Sequence, residues 1–173
     1  MYKRKIRNFL VVGLLTILLV GCSSIEEDVS EGVEIIHSTL QSEPKEANKH
    51  LENMDLYYPF YFEVVEEVDN NVLLTDGSQQ FILFYNNQED SKSRLNYDTA
   101  VVQKDYMYKE EIETEDSFTY IIIDQVDEKL IEVTIGIGGN KITSQMKPSY
   151  LLDNAKIMTN IIRSVTLKQT EVE

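Results

Sequence analysis

Residues 130–146 read LIEVTIGIGGNKITSQM, and this stretch decides the fold. Apolar and polar residues alternate up to Ile137, which is the two-residue period of a strand with one buried face. Gly138, Gly139 and Asn140 then supply a tight turn, and a second strand follows over residues 141–146. The stretch therefore predicts an antiparallel hairpin inside a larger sheet.

Further strands are predicted on the N-terminal side of this hairpin. They fall in residues 57–65, 72–75, 80–85, 100–114 and 118–124. Asp76, Gly77 and Ser78 form a hairpin turn between two of them. The continuous apolar run 121–123 is typical of a strand that is covered on both faces.

Helices are predicted at both ends of the strand region. After Pro148, five apolar residues with helical spacing share one face: Leu151, Ala155, Met158, Ile162 and Val165. Two shorter helical segments are predicted within residues 33–56, on either side of Pro44. The fold class is therefore α+β, an antiparallel sheet meander with N-terminal helical segments and a C-terminal helix packed on one face.

The order of these predicted elements resembles the PsbP-like fold, which occurs in thylakoid lumen proteins and in bacterial lipoprotein relatives. In that family an early aromatic strand, a hairpin, two long late strands and a final helix recur. Residues 57–63, 130–146 and 154–165 match the first strand, the late hairpin and the helix. The resemblance implies a fold for residues 57–167 and transfers no activity to them.

The first 22 residues predict where the protein goes. Basic residues precede an apolar run over 9–20, which is too short to span a bilayer core that needs about 20 helical residues. The tetrapeptide that follows resembles the lipobox of bacterial lipoproteins: Leu19, Val20, Gly21 and Cys22. The resemblance implies that a signal peptidase recognises the first three residues and that Cys22, carrying diacylglycerol, becomes the mature N-terminus.

This resemblance implies a lipid-anchored protein on the extracytoplasmic face of a bacterial cell membrane. The richness in Lys, Asn and Ile favours a single-membrane bacterium, and in a two-membrane cell Ser23 would permit the outer membrane. Residues 1–21 are the expected signal peptide, 22–32 a flexible acidic tether, 33–56 the helical segments, 57–167 the α+β domain and 168–173 a disordered tail. Ten extended tether residues would reach roughly 35 Å. Cleavage would leave 12 basic and 30 acidic residues, a net charge of −18. This charge argues against nucleic acid as a partner.

Residues that could carry chemistry are few. One cysteine excludes an intramolecular disulfide and thiolate metal clusters. His37 and His50 stand at helical spacing from Glu34 and Glu46, a pattern that we interpret as solvated helix faces rather than metal pairs. The acidic runs 63–69 and 110–116 lack the glycine of a calcium loop. The sequence therefore predicts no enzyme, no cofactor and no metal site.

Aromatic residues are densest between residues 57 and 62. We expect Phe60 and Phe62 in the core, with the tyrosines covering the other face of the strand. The alternative is an exposed surface for a partner, because tyrosine suits interfaces. That surface would comprise Tyr57, Tyr58, Tyr61, Tyr106 and Tyr108.

Three functions remain open at this point. The leading hypothesis is a non-catalytic interaction module at the cell envelope, serving an envelope complex, an immunity system or an exclusion system. The alternative is a protein that binds a small ligand in a pocket between the sheet and the C-terminal helix. A hydrolase that uses the histidines and carboxylates is the third.

Overall fold

The structure, a computed structural model, describes residues 24–102 and 105–168. In this part the helices are α1 (Ile25–Leu40), α2 (Leu95–Val101) and α3 (Leu151–Ser164), with a 3-10 turn at Pro148–Tyr150. The strands are β1 (Lys49–His50), β2 (Met54–Leu56), β3 (Glu63–Val68), β4 (Asn71–Thr75), β5 (Gln80–Phe84), β6 (Tyr108–Glu113), β7 (Phe118–Gln125), β8 (Ile131–Ile137), β9 (Asn140–Met146) and β10 (Thr166–Leu167). This architecture confirms the predicted α+β class.

Seven of these strands form one antiparallel sheet in the order β3-β4-β5-β9-β8-β7-β6. Two meanders, β3 to β5 and β6 to β9, are joined where β5 pairs with β9. The predicted hairpin over residues 130–146 is confirmed, with Ile137 opposite Asn140 at its turn. Gly138 has a φ of 55°, and a Cβ at this position would lie 2.6 Å from the Cα of Ser91. Glycine therefore satisfies both the backbone conformation and the close contact with the neighbouring loop.

The main core lies between this sheet and a layer formed by α1, α3 and a small sheet of β1, β2 and β10. Four residues of the predicted apolar stripe on α3 are buried: Leu151, Ala155, Met158 and Ile162. They face the alternating residues of β8, among them Val133 and Ile135, which have no exposed area. The C-terminal helix therefore packs on one face of the sheet, as its spacing predicts.

A second apolar cluster lies on the outer face of the sheet, under α2. It consists of Phe118, Tyr120 and Ile122 from β7 together with Tyr97 from α2. The neighbouring residues of β7, at 121 and 123, belong to the main core. The prediction of a strand covered on both faces is thus confirmed. The polar segment 86–98 contains the first turn of α2.

The expected flexible tether over residues 22–32 is wrong from Ile25 onward, because α1 begins there. The hydroxyl of Ser24 accepts a hydrogen bond from the backbone N–H of Glu27 at 3.2 Å and caps the helix. Acidic residues in the first turn favour this helix end electrostatically. On its inner face Val29 and Val33 are buried, so packing stabilises a segment whose composition alone resembles a linker.

Two other expected elements are absent from the described residues. No second helix follows Pro44, because Ala47 of the expected apolar stripe is exposed while Met54 and Leu56 are buried in strand alternation. The aromatic segment before Glu63 is a turn rather than a strand, closed by a 3.0 Å hydrogen bond from the N–H of Phe62 to the carbonyl of Pro59. Residue 168, which was placed in the expected disordered tail, is instead hydrogen-bonded beside the small sheet, and residues 169–173 lie outside the described residues.

Candidate interaction surfaces

The five tyrosines of the predicted partner surface do not form one surface. Tyr58 is buried in the main core, where desolvation raises the pKa of its hydroxyl. Tyr57 is half-buried, and its N–H donates to the Ser164 hydroxyl at 2.8 Å. Of the first three tyrosines only Tyr61 is exposed, at 48%.

Tyr106 and Tyr108 are half-buried on opposite faces of the sheet. The Tyr106 ring packs on the outer cluster, and its hydroxyl donates to the carbonyl of Ala100 at 2.8 Å. The Tyr108 ring packs on the main core, and its hydroxyl donates to the Glu110 carboxylate. These tyrosines therefore cannot extend a patch around Tyr61.

Neither histidine pairs with the glutamate near it in sequence; His37 contacts a distant strand, and His50 contacts its partner in the β1–β2 hairpin. The His37 Nε2 lies 2.8 Å from the Glu110 carboxylate, which connects α1 to β6. The His50 Nδ1 lies 2.9 Å from the carboxylate of Asp55, and this hydrogen bond lowers the pKa of Asp55. Among the described residues no three potential metal ligands of the types His, Cys, Asp and Glu lie together.

The two acidic runs belong to the two edges of the seven-stranded sheet. Residues 63–68 form β3 at one edge, and residues 110–113 lie in β6 at the other. Edge strands expose unpaired backbone groups, and charged side chains disfavour the addition of a foreign strand. Protection of the edges therefore accounts for acidic runs that resemble incomplete calcium loops in sequence.

The space between the sheet and α3 is filled by side chains. Phe81, Leu83 and Ile142 on the sheet and Met158 on α3 have no exposed area. At the margin of this interface lies an open groove of about 430 Å³. It separates the β4–β5 turn from the start of α3 and is lined by residues that include Tyr61, Asp76, Gln79, Tyr150, Asp153 and Asn154.

Hydrogen bonds fix the wall of this groove. The Gln79 side chain donates to the Ser144 hydroxyl at 2.8 Å and accepts from Asn154 at 3.3 Å. Burial alone would raise the pKa of Asp76, but hydrogen bonds from Ser78 and Gln79 outweigh it and lower the pKa overall. The turn is therefore held rigidly against β9 and α3.

One part of the outer sheet face carries apolar side chains that remain accessible. Leu73, Ile82, Thr143 and Thr134 follow one another in a row across β4, β5, β9 and β8. Ile82 is 48% exposed, although its strand lies inside the sheet. Phe84 stands beside this row, with the Lys141 ammonium 5.5 Å from its ring centroid. We call these residues, Leu73, Ile82, Phe84, Thr134 and Thr143, the open sheet face.

A second accessible surface is formed by Phe60, Tyr61 and Tyr150, which we call the aromatic end. Phe60 is 92% exposed, and its ring meets that of Tyr61 edge-on at 5.4 Å. Tyr61 in turn contacts Phe62, whose ring reaches Phe81 in the core. Tyr150 is 51% exposed across the groove from Tyr61. The exposed rings are thus held by the core beneath them.

The prediction that Phe60 lies in the core is wrong, because its side chain is 92% exposed, whereas Phe62 is buried as predicted. Sequence reasoning missed the open sheet face and, apart from Tyr61, the aromatic end, although weak signals exist for each. In β5, Ile82 lies on the same strand face as the polar Gln80, so an apolar residue stands where the alternation predicts a polar one. Pro59 interrupts the aromatic run and indicates a turn, in which ring exposure is easier than in a strand.

The predicted lipidation residues, Leu19, Val20, Gly21 and Cys22, lie outside the described residues. Within residues 24–102 and 105–168, no helix has both the length and the apolar character needed to cross a membrane. No protein-family model and no curated protein matches the chain. The lipobox and PsbP-like resemblances therefore stay predictions.

Proposed function

We propose that this chain is a lipid-anchored extracytoplasmic protein that acts as a non-catalytic interaction module at the bacterial cell envelope. The single observation that carries the interaction role is the 48% exposure of Ile82 on a strand inside the sheet, in the row formed with Leu73 and Thr143. An apolar patch on a rigid sheet suits recognition of another protein. The lipobox resemblance of residues 19–22 supports the location.

The rim of the open sheet face indicates the chemistry of the partner. Glu66 pairs with Leu73 at one side, and Glu132 stands beside Thr134 on β8 at the other. The Lys141 ammonium also lies beside this face, over the Phe84 ring. The whole chain is strongly acidic. Electrostatic complementarity therefore favours a protein that places basic residues around a small apolar contact.

The histidine geometry supports a role without catalysis. His37 and His50 are both engaged in contacts that link chain segments, with Glu110 and Asp55 respectively. Neither histidine lines the groove beside the β4–β5 turn. A hydrolytic reaction that used His37 or His50 as a free base would require that histidine to break its contact with Glu110 or Asp55.

Photo-crosslinking in the producing cell tests the proposal. A photoreactive amino acid replaces Ile82 in the full chain, and the matched control carries it at Leu95, which is apolar and 54% exposed on α2. We expect one dominant envelope protein to be captured from position 82 and not from position 95. A Cys22→Ala chain, which cannot be lipidated, should lose this capture.

Substitution of the surface supplies the second half of the test. Ile82→Asp should abolish capture and any associated phenotype, whereas Leu95→Asp should leave both unchanged. If the lipidated, folded protein captures no partner from position 82, the assignment of this surface is wrong. If capture is the same for Ile82→Asp as for the unsubstituted chain, the open sheet face is not the contact.

A second candidate is the binding of a small polar ligand in the groove beside the β4–β5 turn. The volume of about 430 Å³ and the polar groups of Asp76, Asp153 and Asn154 favour it. A metabolite that raises the melting temperature of the unsubstituted protein but not of Asp153→Ala would support it. The absence of stabilisation across a broad metabolite panel would remove this candidate.

A further inference from the structure

The first and last helices run in the same direction. Gly32 on α1 packs against Leu151, the first residue of α3, so closely that a Cβ would lie 2.5 Å from a leucine methyl carbon. Seven residues later, the carbonyl of Thr39 accepts a hydrogen bond from Arg163, near the end of α3. The N-termini of α1 and α3 therefore lie at the same end of the domain.

The aromatic end lies at this same end of the domain. Tyr150 immediately precedes α3, and the 3-10 turn that contains it contacts α1. Tyr61 and Tyr150 line one groove, and Phe60 stacks against Tyr61. The described part of the chain thus begins at the end where Phe60, its most exposed aromatic residue, is found.

Very little chain separates this end from the predicted lipid. The capping residue Ser24 follows Cys22 by two positions, and two extended residues span about 7 Å at most. Had residues 22–32 formed an extended tether, the domain would stand tens of ångströms from the membrane. A lipid on Cys22 would instead hold the start of α1 at the bilayer surface.

We propose that the aromatic end lies in the headgroup region of the bilayer and fixes the orientation of the anchored domain. This inference rests on the proposed lipid anchor. Phenylalanine and tyrosine rings are favoured at the membrane interface, where one side of the ring is apolar and the other is hydrated. Exposed rings close to the anchor would supply a contact in addition to the acyl chains.

The charged side chains at this end determine which lipid headgroups favour the contact. Glu26 and Glu27 lie in the first turn of α1, and Asp76 and Asp153 line the groove between Tyr61 and Tyr150. One ammonium, that of Lys147, lies 5.8 Å from the centroid of the Tyr150 ring, so these five charges sum to a negative value. Carboxylates are repelled by anionic headgroups. We therefore expect the contact to be strongest on zwitterionic lipid, and to weaken on anionic lipid at low salt and recover when salt is added.

The absence of tryptophan from the chain permits a direct test. Phe60→Trp places a single fluorophore at the aromatic end. Leu95→Trp places one near the opposite end, because the adjacent Asn96 bonds the carbonyl of Gly139 in the β8–β9 turn. Both chains are purified in lipidated form and reconstituted in vesicles of phosphatidylcholine brominated near the carbonyl end of its acyl chains.

We expect Trp fluorescence of Phe60→Trp to be quenched several-fold more strongly than that of Leu95→Trp. Intact mass of the same preparations reports the lipid on Cys22. A lipidated Phe60→Trp chain that is quenched no more than the Leu95→Trp control would overturn the orientation and leave the anchor standing. A mature chain without lipid would overturn both the anchor and the orientation.

Discussion

Gly136 and Tyr120 form a contact whose energetic importance can be measured. The two residues are opposite each other on β8 and β7, and the tyrosine ring covers the glycine. In Gly136→Ala the new methyl carbon would lie 2.6 Å from the Tyr120 hydroxyl oxygen and closer still to two ring carbons. Tyr120 is only 1% exposed and is packed against the rings of Tyr97 and Phe118, so it cannot swing aside freely.

The expected cost of Gly136→Ala follows from two opposing effects. Overpacking of a filled cluster costs about 1–3 kcal/mol. Replacing a glycine within a strand returns about 0.5–1 kcal/mol of backbone entropy. The net loss in the free energy of unfolding should therefore be about 1–2 kcal/mol. For a chain of this size, that loss lowers the melting temperature by about 2–8 °C.

Urea unfolding followed by far-UV circular dichroism, on the mature chain with Cys22→Ser, measures this loss. A double-mutant cycle with Tyr120→Leu locates its origin, because the smaller side chain leaves room for the added methyl group. We expect Gly136→Ala to be nearly neutral in the Tyr120→Leu background. An equal loss of unfolding free energy in the Tyr120 and Tyr120→Leu backgrounds would refute the assignment to the ring contact. A Gly136→Ala chain as stable as the unsubstituted chain would also refute it.

Three further predictions concern individual side chains. Tyr120→Phe should stabilise the fold by about 1 kcal/mol in the same urea assay, because the buried hydroxyl has no hydrogen-bond partner among the described residues; a destabilised variant would indicate a hidden partner. Ser24→Ala should cost about 1 kcal/mol through loss of the helix cap and should speed amide exchange in the first turn of α1 but not in α3. The hydrogen bond with His50 lowers the pKa of Asp55 from its ordinary value of 3.8. The ionised Asp55 therefore contributes its full stabilisation to the fold above pH 3.8, and this contribution is lost as the pH falls through the lowered pKa. The free energy of unfolding of Asp55→Asn in urea should therefore fall less steeply than that of the unsubstituted chain between about pH 5 and about pH 2. The same pH dependence in both chains would contradict a contribution from Asp55.

The elements that could be predicted from sequence are those whose pattern is set by one buried face. The alternation of residues 130–137 and the stripe on residues 151–162 reflect burial against a single neighbouring layer, and both are present in the structure. Residues 121–123 show no alternation of apolar and polar residues because both faces of their strand are covered, and the sequence predicts this as well. In each case local pattern and tertiary packing agree.

The sequence-based predictions fail where contacts between residues that are distant in sequence determine the local structure. The segment 25–32 has the composition of a linker, and packing against α3 and the sheet adds to the Ser24 cap in stabilising it as a helix. Residues 49–56 depend on β10, more than 100 residues later, for part of their small sheet. The exposure of Ile82 depends on how far α2 extends over the outer face. Local patterns carry only weak signals for these contacts.

The acidic edge strands have a consequence for the proposed lipid-anchored state of the protein. Anchoring raises the effective concentration of neighbouring copies, and it restricts their encounters to two dimensions. Under these conditions β3 of one molecule would repeatedly meet β3 or β6 of another, and their glutamates repel one another. The same charges that keep the sheet from growing would thus keep a crowded layer of this protein dispersed and free to diffuse.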